Sequence, residues 1–157
     1  MRIILVLVLL IAMTSPYAGE NRNSNVLIFV SFSMPKESIK GWMQEAEKIH
    51  APVVIRGLVN NSFKATIQKM KELVNDNQGG VQIDPNLFRK FKIKQVPAVV
   101  VRSIQNCLPT QTCFEDYDVI YGNVHLDYAL EKIANQNDVV SPIAKEALII
   151  LRESHHV

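Results

Sequence analysis

Apolar residues recur along this chain in two rhythms. From Val26 to Phe32 they run almost unbroken and rich in Val, Ile and Phe, as in a central strand buried on both faces of a mostly parallel sheet. Beyond it they return at Ile39, Trp42, Met43, Ala46 and Ile49, one face of a helix turned to that sheet. Ser33 is placed to cap this helix, and Pro35 to occupy its first turn, where the missing N–H costs nothing. Gly41 weakens the helix by about 1 kcal/mol relative to alanine, which points to a close backbone approach there. A second strand over Pro52 to Val59 leads to a helix capped by Asn61 or Ser62, with the apolar stripe Phe63, Ile67, Met70, Leu73 and Val74.

Asn77-Gln78-Gly79-Gly80 stops that helix, and Val81 to Ile83 is long enough only for an edge or connecting strand. Asp84-Pro85 then sets a carboxylate on free N–H groups and a fixed φ at the first helical position, opening a brief helix that ends near Phe91. Ala98 to Arg102 reads as a strand, Tyr117 to Gly122 as its antiparallel return, and His125 to Ala134 as a closing helix. Ser141-Pro142 starts one more, with Ile143, Ala147, Leu148 and Leu151 on one face. Ala147 through Leu151 is apolar over more than one stripe, so this helix packs on its own domain by default or presents a partner surface. The element order, with right-handed crossovers for its parallel members, predicts an α/β fold: a thioredoxin-like three-layer sandwich with a central mixed sheet and an extra C-terminal helix.

The first residues change the picture of where the chain works. Met1-Arg2, the apolar run Ile3 to Met13 and Thr14 to Glu20 fit the basic start, apolar core and small-residue exit of a secretory signal peptide. The run is well short of the ~20 residues that span a bilayer. We therefore expect a signal peptide at 1–18, a single domain at 19–157, export and no stable membrane insertion. With 17 basic against 15 acidic residues, no global charge argues for direct nucleic-acid binding.

Candidate chemistry is sparse. Val96-Pro97 precedes a strand, and because X-Pro bonds are the only ones for which cis is cheap, the context favours a cis bond in a committed turn. In redox members of the thioredoxin fold that loop packs against the start of the first helix, here Ser33-Met34-Pro35-Lys36, which holds no cysteine. A thiolate activated by the helix N-terminus cannot exist there. Ser33 as nucleophile with Lys36 as base carries far less weight than a cap and a solvated lysine. Cys107 and Cys113, the two cysteines of the chain, are expected to pair in an exported protein; a structural disulfide leads, with a reactive pair and free thiols as alternatives. Closing so short a loop contributes only about 2–3 kcal/mol. His155-His156 without further ligands makes no metal site, and no cofactor is expected. Arg89, Lys90, Lys92 and Lys94 form a basic cluster that is either a solvated face or a dock for an acidic partner. Arg56, costly to bury unpaired, must emerge at its strand's end or meet a carboxylate; the first is expected, near the Ser33 and Pro97 loops at the C-terminal edge of the sheet.

Three segments in order, Val26 to Pro35 with its Ser-Met-Pro, Val54 to Val59 with its Arg-Gly-Leu, and Ile83-Asp84-Pro85 through Val96-Pro97-Ala98-Val99-Val100, resemble the TrbC family of F-type conjugative transfer systems. The resemblance covers about Asn25 to Arg102 and is weaker through Gly122. It implies a secreted, periplasmic, non-catalytic thioredoxin-like module for pilus assembly in a type IV secretion system for DNA transfer. It further implies binding to other envelope transfer proteins, in particular a TraW-like partner to which related proteins are sometimes fused. No catalytic residues come with it. The motif positions Ser33, Met34, Pro35, Lys36, Arg56, Gly57, Val96 and Pro97 are the expected partner-binding surface. An envelope thiol-disulfide oxidoreductase using Cys107 and Cys113, or a general periplasmic chaperone, are the alternatives.

Overall fold

Val26–Val30 (β1) is buried along its whole length, and its side chains divide the interior in two. Val26, Ile28 and Val30 enter the larger core, whereas Leu27 and Phe29 enter a smaller one on the opposite face. This follows from the period-2 geometry of a strand. A computed structural model describes residues 24–73, 81–103 and 115–154 of the 157.

Around β1 the chain builds a five-stranded open sheet from Val53–Ile55 (β2), Val81–Ile83 (β3), Ala98–Arg102 (β4) and Tyr117–Tyr121 (β5), in the order β3-β2-β1-β4-β5. β1, β2 and β3 are mutually parallel; β4 runs antiparallel to β1, and β5 antiparallel to β4. The mixed α/β class and the edge position of Val81 to Ile83 are as expected. β2 is shorter than the predicted Pro52 to Val59. Past Ile55 the chain leaves the sheet through Arg56 and Gly57 and makes a single 3-10 turn at Val59–Asn61.

Lys36–Lys48 (α1) lays Ile39, Trp42, Met43 and Ala46 on the larger core, joined there by Leu126–Ala134 (α4) and Ser141–Glu153 (α5). The last helix thus packs on its own domain through Ala144, Ala147, Leu148 and Leu151, leaving Ile149 and Ile150 exposed. One expectation fails on this side. No atom lies within 4 Å of a Cβ placed on Gly41, so no close approach explains it. In Phe63–Leu73 (α2), Phe63 is 65% exposed and Ile67 37%. The periodic stripe is present, but α2 lies at the margin of the sheet, and only Thr66 and Leu73 of the helix are buried. Ser62 does receive the Ala65 N–H, at 3.3 Å.

Among the described residues the opposite face carries one six-residue helix, Pro85–Lys90 (α3). Asp84 caps it as expected, accepting from Asn86 N and Leu87 N at 2.8 and 3.1 Å. Phe88 of α3 meets Phe29 edge-on, with ring centroids 4.9 Å apart, and Phe91 closes the cluster. The layers are therefore three but unequal.

Candidate partner-binding surface

Register brings the sequence-predicted positions to one end of the sheet. Val30 lies beside Ile55 and Phe29 beside Ala98, so the chain leaves β1 and β2 and enters β4 at the same edge. Ser33 to Lys36, Arg56-Gly57 and Val96-Pro97 all belong to those connections.

At the first connection the Met34 N–H donates to Ser31 O at 3.0 Å, and the hydroxyls of Ser31 and Ser33 lie 2.9 Å apart. Ser33 does not cap α1: this tight turn engages its hydroxyl before the helix begins, and Pro35 becomes the N-cap residue without a side-chain cap. Ser33, Pro35 and Lys36 are exposed, whereas Met34 is half-buried against the larger core. The hydrogen-bond partner of the Ser33 hydroxyl is thus another hydroxyl, that of Ser31. Ser38 Oγ bonds Asn123 Oδ1 at 3.0 Å, tying the start of α1 to the turn after β5.

Arg56 emerges directly beyond β2, the first of the two outcomes anticipated for it. Its Nη2 donates to Ile93 O at 2.7 Å, and its guanidinium carbon lies 4.9 Å from the Phe88 ring centroid, a carbonyl and an aromatic face taking the place of a carboxylate. Gly57 is exposed with open space where a side chain would stand. The Val96–Pro97 bond is cis, and Pro97 O accepts from Gly122 N at 3.0 Å. Pro97 itself is buried and Val96 half-buried on the smaller core, so these two shape the edge from beneath while Ser33, Pro35, Lys36, Arg56 and Gly57 stand outermost.

Of the basic cluster, Lys90 is neutralised by Glu115, which also takes Arg102 at 3.1 Å. Arg89 donates to Asn86 Oδ1. Beside them sits a groove of about 350 Å³ that includes Arg56, Phe88, Lys92 and Lys94. Residue spacing gave no sign of it, because it forms between two segments remote in sequence. No group of three or more His, Cys, Asp or Glu among the described residues is arranged to hold a metal. Cys107, Cys113, His155 and His156 lie outside the described residues.

Comparison with known proteins decides the family. Residues 28–133 match the type-F conjugative transfer system pilin assembly proteins. The chain belongs to this family. It is 42% identical over 113 residues to the periplasmic protein TrbC of Escherichia coli strain K12. That match covers 71% of this chain and 49% of the relative, so the chain spans about half the relative's length. No solved structure matches it significantly. Like that relative, this pilin assembly family member is a periplasmic protein. No helix among the described residues is long and apolar enough to cross a membrane. The family match spans from within β1 to α4 and includes all eight edge positions, while α5 lies beyond it.

Proposed function

We propose that the chain is a non-catalytic assembly factor for an F-type conjugative pilus, and that it works by binding other transfer proteins in the periplasm. The observation that carries this reading is the family match over 28–133, joined to the chemistry of Ser33-Met34-Pro35-Lys36, where a redox fold would hold its thiols. Its fold is of thioredoxin type; the sheet order β3-β2-β1-β4-β5, with β4 antiparallel to β1, supports this. Cys107 and Cys113 form a structural disulfide. A TraW-like protein is the first partner, met at the edge formed by Ser33, Pro35, Lys36, Arg56 and Gly57 and shaped by Met34, Val96 and Pro97.

The test is sedimentation of the mature chain with the TraW-like protein of the same transfer system. A complex is expected, weakened by Lys36→Glu or Arg56→Glu with unchanged circular dichroism. Independent sedimentation of the two proteins at all concentrations would sink the proposal.

A further inference from the structure

Among the described residues the smaller core is covered on its outer side by α3 and the segment that follows it. On β5 the side chains facing that way stay open: Tyr117 and Val119 are half-buried and Tyr121 is exposed. Two shallow grooves result, one of about 350 Å³ floored by Phe88 and Ile93, the other of about 380 Å³ floored by Phe91, Tyr117 and Val119. Lys92 and Lys94 line both, forming the ridge between them.

Among the described residues neither Lys92 nor Lys94 forms an ion pair, and Arg56 and Arg89 donate to neutral oxygens of Ile93 and Asn86. The nearby carboxylates are engaged elsewhere, Glu115 with Lys90 and Arg102, and Asp84 with the first turn of α3. In a chain of net charge +2 this is segregation of charge rather than a general excess. The backbone adds to the case. α3 ends with Lys92 N bonded to Arg89 O and Ile93 N to Phe88 O at 3.1 and 2.9 Å, which puts Lys92 at a φ of 52°. Glycine is the unstrained residue at that position of such a helix end, and the chain holds a lysine there.

We propose that this ridge and its two grooves bind an acidic segment of a partner protein. Its carboxylates would lie on Lys92, Lys94, Arg56 and Arg89, and its aromatic or branched aliphatic side chains on the two apolar floors. The floors favour a peptide over a phosphate-bearing surface, which would use the cations and leave Tyr117, Val119 and Ile93 uncovered. The inference rests on the assembly-factor reading above and gives the chemistry of one partner.

The isotope-labelled mature chain is titrated with a short glutamate-rich peptide carrying phenylalanine, followed by nuclear magnetic resonance. Parallel titrations use the lysine-for-glutamate and serine-for-phenylalanine peptides, phosphatidylglycerol vesicles and single-stranded DNA. Saturable shifts at Phe88, Ile93 and Val119 are expected with the first peptide, weakening with salt. Affinity should fall at least about tenfold in K92E/K94E, because like charges then face the ligand, and stay unchanged in K64E/K71E on α2. Lys92→Gly separates binding from folding: it should raise the thermal midpoint while weakening the peptide. Absence of shifts, equal binding of the serine-for-phenylalanine peptide, or tighter lysine-dependent binding of vesicles or DNA would overturn the proposal. Donor cells distinguish its failure from that of the parent reading. Pili that persist after gene deletion refute the assembly role, whereas pili lost on deletion and fully restored by K92E/K94E refute the groove alone.

Discussion

At Gly41 a helix carries a residue that neither turns the chain nor lets a neighbour in, since a Cβ there would meet nothing within 4 Å. Gly41→Ala should therefore stabilise the protein by about 0.5–1 kcal/mol through helix propensity alone. Urea unfolding reads this directly; a loss of stability would mean that the flank of α1 is more closely packed than it stands. Phe29 is the opposite case, with no exposure and two aromatic rings edge-on to it at 4.9 and 6.1 Å. Residue-level features were legible in the sequence where the cause is local. Asp84-Pro85 reads as a helix start because the cap reaches only two and three residues ahead, as observed. Ser33 has the sequence of a cap, but its competing partner, Ser31, is equally local and wins.

Elements are joined here by contacts that no local reading finds. Glu45 of α1 accepts the Leu126 N–H at 2.8 Å, and His125 Nδ1 lies 3.2 Å from its other oxygen. One helix thus caps the N-terminus of another 81 positions away. Glu45→Ala should cost about 1 kcal/mol, visible as faster amide exchange through the first turn of α4. A second link joins β5 to the start of α5. Asp138 accepts from the N–H groups of Val140 and Ser141 at 3.0 and 2.9 Å, and Asp118 faces it. Burial first, then hydrogen bonding and repulsion with Asp138, push the Asp118 carboxyl up to about 6, while the hydrogen bond from Asp118 holds Asp138 below the usual range. A carboxyl raised on folding makes the native state bind more protons than the unfolded one, so its stabilising contribution is present in acid and lost as pH rises from about 4 to about 6. Asp118→Asn, which keeps a donor toward Asp138, should remove that loss and raise stability at neutral pH. Unfolding midpoints of both proteins from pH 4 to pH 8 check the sign, and an unchanged pH profile would contradict it. The stripe of α2 marks the limit of element-level reading: its period was correct, but period reports amphipathicity and not whether a neighbour covers the face.

Across the whole molecule, the helices of the larger core were legible because each is strongly periodic, and β1 because it is apolar throughout. The unequal covering of the sheet was not, since it depends on how little of the chain α3 and its exit loop can shield. The edge positions converge because β1, β2 and β4 are neighbours in the sheet, a relation that motif order suggested and register realises. Donor cells lacking the gene, complemented by wild type or by Cys107→Ser with Cys113→Ser at matched protein level, provide the most direct measurement: pilus counts and DNA-transfer frequency. An assembly factor acting by non-covalent binding predicts that the double variant restores both to wild-type levels. Protein present at full level with transfer abolished would contradict that function and return thiol chemistry to the centre.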